Sequence, residues 1–158
     1  LAITTPTAIF GNSSNLDAYG MNTPAGLAFA PDGTLFVADY GYNRILVFPP
    51  GAASSKSNPI AAIDVIGQPD FRSVVSTSAN HPYGLAFDER NNALWVTCQT
   101  TNVFVKYSNI IAQVNNNVTS VPVTVTFPNR TPKAIISPKG NIFLKTALVF
   151  TFPFYRPT

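Results

Sequence analysis

The chain has 158 residues, of which 11% are charged, against about 25% in an ordinary globular domain. Hydrophobic residues make up 46%, enough to bury a core, which excludes a mainly disordered chain. Glu occurs once and Lys five times, while Thr, Val, Ile, Phe and Tyr are plentiful, so strands are favoured over long amphipathic helices. No apolar run approaches the roughly 20 residues that span a bilayer, so we expect no membrane segment.

The residues that usually carry catalysis or bind metals are scarce. Cys98 is the single cysteine and His81 the single histidine, which excludes an intrachain disulfide, a CxxC metal site and a histidine cluster. The carboxylates form no spaced pair and no calcium-binding run, and there is no phosphate-binding glycine loop. We therefore expect no catalytic residue, no metal site and no cofactor.

Charge is divided unevenly along the chain. Residues 1–99 hold four basic and seven acidic residues, a net charge of −3, whereas residues 100–158 hold six basic residues and no acidic one, a net charge of +6. The basic residues are spaced among Thr and Pro rather than gathered in a patch, so a nucleic-acid partner is not expected.

Three Asn-x-Ser/Thr triplets give candidate N-glycosylation sites at Asn12, Asn117 and Asn129. The chain begins with Leu rather than Met, which predicts either a removed leader or a longer parent chain. Together with the low charge and the abundance of Thr, Ser and Asn, these features predict a secreted or cell-surface glycoprotein.

The sequence contains internal repeats. Residues 24–50 align with residues 82–108, so that the Gly-Leu-Ala-Phe run starting at Gly26 falls on the identical run starting at Gly84, and a weaker third copy covers 132–152. Each copy is rich in short runs of strand-forming residues separated by turns. Four antiparallel strands repeating at about 50 residues are typical of β-propeller blades.

The predicted strands are joined by turns that need positive φ. Gly33 in Asp32-Gly33 and the asparagines in Asn91-Asn92 tolerate that conformation, so both pairs are expected to join the first two strands of a unit. Strands are expected at 26–30, 35–40, 44–49 and 61–67 in the first unit, at 84–88, 93–98, 102–108 and 121–127 in the second, and at 133–137, 141–146 and 148–154 in the third.

Residues 24–48 closely resemble an NHL repeat through the run Pro-x-Gly-Leu-Ala-Phe-x-Pro-Asp-Gly-x-Leu-Phe-Val-Ala-Asp-x-Gly-x-Asn-Arg-Ile-x-Val-Phe. The second unit keeps the framework but has Thr97, Cys98 and Gln99 in place of the Asp-x-Gly signature, and the third has a shortened hairpin. Residues 66–71 are similar to a segment that links blades in one NHL subgroup. The resemblance implies an all-β fold of four-stranded antiparallel propeller blades.

The resemblance also implies structural roles for the blade-signature residues, which are Gly26, Asp32, Gly33, Asp39, Asn43, Arg44 and Gly84. The two glycines open the innermost strands, where a missing side chain lets backbones approach. Asp39 and Arg44 are implied to hold one blade's hairpin to its neighbour by a charge-assisted hydrogen bond. The aromatic residues expected to fill the space between blades are Phe29, Phe36, Phe87 and Trp95.

About three blades are too few to close a ring, since propellers use about four to eight. We expect one NHL-like domain over 1–158, with an outer strand at 2–10, blades at 22–71 and 80–127, and a partial blade at 132–155. The outer strand of one copy is expected to complete the partial blade of another by β-augmentation, so that other subunits close or extend the incomplete ring. The candidate subunit contacts are Ile3, Ile9, Phe10, Val149, Phe150 and Phe152.

These features predict a non-enzymatic extracellular structural protein that self-associates by strand exchange into a ring or a filament. Its partners would be other copies of itself or the remaining blades of a longer chain, with attached glycans and no membrane. The alternative is a ligand-binding propeller that recognises a protein or a glycan. The third interpretation is a fragment of a propeller enzyme of the lyase or lactonase type.

Overall fold

The computed structural model describes residues 8–11, 13–55, 57–75 and 80–116, and the backbone of strands at 123–126, 134–136, 142–144 and 148–149. Several predicted features lie outside these residues. They are the outer strand over 2–7, the three glycosylation candidates Asn12, Asn117 and Asn129, and the contact candidates Ile3, Phe150 and Phe152.

The first blade is a four-stranded antiparallel sheet with its strands in sequence order: β1 (Pro24–Phe29), β2 (Leu35–Asp39), β3 (Arg44–Phe48) and β4 (Asp64–Ile66). Gly33 has φ +89° in the turn between β1 and β2. Asp32 Oδ1 accepts a hydrogen bond from the Thr34 N–H at 2.9 Å. The turn predicted at Asp32-Gly33 is therefore confirmed, with glycine in the left-handed region that other residues avoid.

The second blade repeats that order with β5 (Pro82–Asp88), β6 (Ala93–Cys98), β7 (Val103–Ser108) and β8 (Val123–Thr126). Asn92 has φ 45° in the β5–β6 turn, as its predicted role requires. A short helix, α1 (Ile110–Asn116), follows β7 and was not predicted. Its first residue, Ile110, is buried in the core between the blades. Among the described residues, no helix is long and apolar enough to cross a membrane.

The third sheet, as far as it is described, has three strands: β9 (Ala134–Ile136), β10 (Ile142–Leu144) and β11 (Leu148–Val149). Ile136 pairs with Ile142 as Phe29 pairs with Leu35 in the first blade. The next hairpin is shorter, because Phe143 pairs with Val149, whereas the equivalent Phe36 pairs with Val47. The shortened hairpin predicted for the third unit is confirmed.

Successive sheets contact each other through their first strands, since β5 lies against β1 and β9 lies against β5. The rings of Phe36 and Phe87 stack between the first two blades, with centroids 6.0 Å apart. The aliphatic residues and cysteine of this interface are buried in one core: Ala28, Ala38, Ile45 and Val47 from the first blade and Leu85, Leu94, Val96 and Cys98 from the second. Face-to-face packing of four-stranded sheets confirms the predicted propeller blades.

A second core covers part of the opposite face of the first blade. Phe10 lies edge-on to Phe48, with ring centroids 4.9 Å apart, and pairs with Ile60 in a parallel bridge. Phe29, which was expected to lie between blades, is 52% exposed on this face. None of the described residues covers that end of the face, so Phe29 lies at a surface that the described chain leaves open.

The first two blades approach each other closely at Gly26. A Cβ added there would lie 2.3 Å from the Tyr83 carbonyl oxygen and 3.2 Å from the Cα of Gly84. Both are backbone atoms, which cannot rotate away. The predicted close approach of backbones at the two glycines is confirmed.

Replacing Gly26 with alanine should lower the free energy of unfolding by about 1–3 kcal/mol, the usual cost of overpacking a rigid site. Gly51→Ala is the matched control, since no atom lies within 4 Å of its added Cβ. The only cost of this substitution is backbone strain, because an alanine at Gly51 would have to adopt φ +77°. That strain costs about 1 kcal/mol. Urea unfolding followed by circular dichroism compares the two, and a smaller loss for Gly26→Ala would contradict the close approach.

Candidate functional site

The most buried charged pair lies in the β2–β3 hairpin. Asp39 ends β2 and Arg44 begins β3, and the strand register places them opposite each other. Arg44 Nε donates to Asp39 Oδ2 at 2.7 Å, with both side chains 0% exposed. Burial raises the pKa of the Asp39 carboxyl, and hydrogen bonds from Arg44 and from the Asn22 N–H oppose that rise.

The remaining guanidinium donors of Arg44 reach backbone carbonyls. Nη1 donates to Phe71 O at 2.6 Å, and Nη2 donates to Gly20 O at 2.8 Å and to Asp17 O at 3.1 Å. We call Arg44, Asp39 and these three carbonyls the Arg44 cluster. It connects the hairpin to the loops before β1 and after β4 of its own blade, and not to the neighbouring blade as the resemblance implied, because the acceptors within reach belong to those loops.

The contact with the neighbouring blade comes instead from Asn43. This residue has φ 53°, and its Oδ1 accepts the His81 N–H at 2.9 Å just before β5. Gln68 Nε2 donates to Asn43 O at 2.9 Å and to Val75 O at 2.8 Å, while Gln68 Oε1 accepts the Val75 N–H at 2.9 Å. Asn43 and Gln68 together therefore hold the segment that leads from the first blade into the second.

The second blade has an apolar pair where the first has its ion pair. Cys98 pairs with Pro82 as Asp39 pairs with Pro24, and Val103 lies opposite Cys98 as Arg44 lies opposite Asp39. Gly84 donates its N–H to Thr97 Oγ1 at 2.8 Å beside this pair. Cys98 is 0% exposed, and burial raises the pKa of its thiol to about 12. The thiolate that a nucleophile requires is therefore disfavoured.

An aromatic group lies where β2 ends and β5 begins. The Tyr40 ring centroid is 4.7 Å from that of His81 and 6.3 Å from that of Tyr83, both edge-on. His81 Nδ1 is buried and has no hydrogen-bond partner among the described residues. Within the same part of the chain, no three His, Cys, Asp or Glu side chains gather closely enough to hold a metal ion.

The described contact candidates lie at two places. The Ile9 side chain is 42% exposed, while its carbonyl oxygen accepts the Ile60 N–H at 3.4 Å. Phe10 packs on Phe48 within the same chain, and the backbone of Val149 belongs to β11. The structure brings together Asp39, Asn43 and Arg44, and it places Ile9 and Phe10 beside Ile60 of the first blade. Sequence reasoning missed Gln68, whose only signal was its place in the linking segment.

Replacing Arg44 with valine should lower the free energy of unfolding by about 3–5 kcal/mol, because it leaves the Asp39 carboxylate buried and unpaired. The double variant Asp39→Cys with Arg44→Val installs the apolar pair of the second blade and should recover part of that loss. Arg72→Val, at an exposed arginine, is the control and should change stability by less than about 0.5 kcal/mol. Urea titrations measure all three, and a double variant no more stable than Arg44→Val would contradict the interpretation.

Alkylation of Cys98 should be slow in the folded protein and fast in the unfolded one. A thiol pKa of about 12 instead of 9.0 lowers the thiolate fraction at neutral pH about a thousandfold. The folded state holds this proton more tightly, so the thiol's contribution to stability is complete below pH 9.0 and is lost as the pH rises toward about 12. Iodoacetamide labelling followed by mass spectrometry, with and without urea, measures the difference. Equal labelling rates would contradict burial of the thiol.

Residues 21–48 match the family model of the NHL repeat. No curated protein matches the chain. Among solved structures, a streptogramin B lyase is similar over 84% of this chain and 36% of its own, with 15% identity and a TM-score of 0.50. A selenomethionine-substituted virginiamycin B lyase from Staphylococcus aureus is similar over 77% and 33%, with 14% identity and a TM-score of 0.48.

The chain spans about a third of the length of these solved structures. At 15% identity the likeness to the streptogramin B lyase shows the fold, which is that of a β-propeller. The match at residues 21–48 covers the hairpins that carry Gly33, Asn43 and Arg44. Residues 21–48 therefore match an NHL repeat, and the sheets of the chain have the fold of β-propeller blades.

Proposed function

We propose that this chain is a non-enzymatic, extracellular structural module that associates with other copies of itself to extend its propeller into a ring or a filament. The observation that carries the proposal is the open stack of sheets. Strands β1, β5 and β9 succeed one another as neighbours, and the first sheet leaves apolar residues exposed on the face turned away from the second. Soluble proteins rarely leave such faces uncovered.

The state of the reactive side chains supports a structural rather than a catalytic role. The charged groups of Asp39 and Arg44 are buried and bonded to each other and to backbone carbonyls in the Arg44 cluster. The Cys98 thiol is buried and its pKa is raised. Catalysis needs a nucleophile or base that can reach a substrate, and these groups cannot. The lyase named in the comparison shares the fold at low identity, which supports an enzyme fragment only as the third interpretation.

Secretion and glycosylation are part of the same proposal. Their support is the low charge of the chain and the three triplets at Asn12, Asn117 and Asn129. An Asn-linked glycan on a repeated subunit would keep the outer surface soluble while the blade faces associate.

Recognition of a protein or glycan at one end of the propeller is the alternative function. The observation in its favour is the aromatic group of Tyr40, His81 and Tyr83, since half-buried rings offer stacking surfaces to sugars and peptides. Tyr40 directly follows β2 and His81 directly precedes β5, so the group lies at one end of the first two sheets.

The full chain should have a solution mass of at least twice 17.0 kDa, and deletion of residues 1–7 should reduce it to that of one chain. The deletion leaves Phe10 on Phe48, so it removes the exchanged strand without opening the second core. Ile3→Pro is a second variant that keeps the length and blocks strand pairing. Light scattering coupled to size-exclusion chromatography measures the masses. A single-chain mass for the unaltered protein would contradict self-association, and an unchanged mass in both variants would contradict strand exchange.

A further inference from the structure

We infer that a second copy of this chain docks on the first blade through Leu27 and Phe29, packing as the second blade packs within the chain. The inference rests on the proposed self-association and names the surface that performs it. That surface, here called the leading face, is formed by Leu27 and Phe29 on β1 and Val37 and Leu35 opposite them on β2.

The second blade shows what normally covers a leading face. Leu85 pairs with Val96 and Phe87 with Leu94, in the register of Leu27 with Val37 and Phe29 with Leu35. Leu85 is 0% exposed, whereas the equivalent Leu27 is 59% exposed. The same residue type at the same position differs in burial because one blade has a neighbour on that side and the other has none among the described residues.

The surface that buries Leu85 is also defined. It is the opposite face of the first blade, where Ala28, Phe36 and Ala38 belong to the same core. Small residues on β1 let the two inner strands approach, and Phe36 stacks on Phe87. Leu27 and Phe29 are therefore suited to pack on a surface of the same kind. That surface is the blade face which, in the first blade, carries Ala28, Phe36 and Ala38.

The chain covers the rest of the leading face by itself. Phe10 and Met21 pack with Val37, Leu46 and Phe48 in the second core. The exposed residues of the leading face, Leu27 and Phe29, lie on β1. This strand lies next to the first strand of the neighbouring blade in the contact between β1 and β5. A docked blade would meet Leu27 and Phe29 without displacing the segment that holds Phe10.

The charge distribution favours a second copy as the occupant. Residues 1–99, which include the leading face, carry a net charge of −3, and residues 100–158, which include the third sheet, carry +6. The third sheet lies beyond the second blade, because β9 lies against β5. A head-to-tail arrangement brings the basic end of one copy to the acidic end of the next, and such a heterologous contact forms a ring or a filament.

The test compares two double variants of the full chain by light scattering over a range of protein concentrations. Leu27→Asp with Phe29→Asp places two charges on the leading face. Val74→Asp with Val75→Asp is the matched control, because these valines are 44% and 51% exposed in the loop after β4 and gain the same charges. We expect the leading-face variant to raise the dissociation constant between copies about a hundredfold or more, and the control to leave it within about threefold.

The outcomes separate the inference from the function on which it rests. An associated unaltered chain with a dissociated leading-face variant supports the inference. An associated chain whose leading-face variant associates equally well overturns the inference and leaves self-association standing. A chain that is monomeric at every concentration overturns both. Circular dichroism and the urea midpoint verify folding, and Leu27→Ser with Phe29→Ser provides a milder pair that must weaken association in the same direction.

Discussion

The guanidinium of Arg44 is fully buried, and the loops on both sides of the first blade depend on it. A buried charge must be paired and its donors satisfied, or it destabilises the fold by several kcal/mol. Here one carboxylate and three backbone carbonyls accept four of the five N–H donors of the guanidinium. Two irregular segments, which have no ladder to hold them, are fixed to a regular hairpin as a result. One of these segments supports the second core, and the other leads to the next blade.

The second blade shows that this ion pair is not needed to form a blade. Cys98 and Val103 occupy the equivalent positions, and the sheet keeps the same strand order and register. Burial of an ion pair seldom stabilises a fold more than a well-packed apolar pair. Asp39 and Arg44 therefore contribute by fixing the conformation of the neighbouring loops through hydrogen bonds. An apolar pair cannot form such bonds.

Much of the fold could be predicted from local patterns, because strand alternation and turn residues act over a few positions. The two turns at Gly33 and Asn92 are examples. The acceptors of Arg44 could not be predicted, since carbonyls distant in sequence leave no periodic signal. Helix α1 is too short to show a helical period. The exposure of Phe29 depends on whether another blade covers its face. A repeat pattern in the sequence assigns every blade the same surroundings, so it does not predict this exposure.

Asparagine rather than glycine occupies several left-handed turns of this chain, among them Asn43 and Asn92. Asn43 and Asn92 use their side chains as well as their backbones, since Asn43 Oδ1 accepts the His81 N–H and Asn92 Oδ1 accepts the Ile111 N–H at 3.4 Å. Glycine would permit the same φ but would lose these contacts and gain freedom in the unfolded chain. One asparagine thus determines both the backbone conformation of the turn and the hydrogen bond that holds the following segment. A mutation at that residue changes both together.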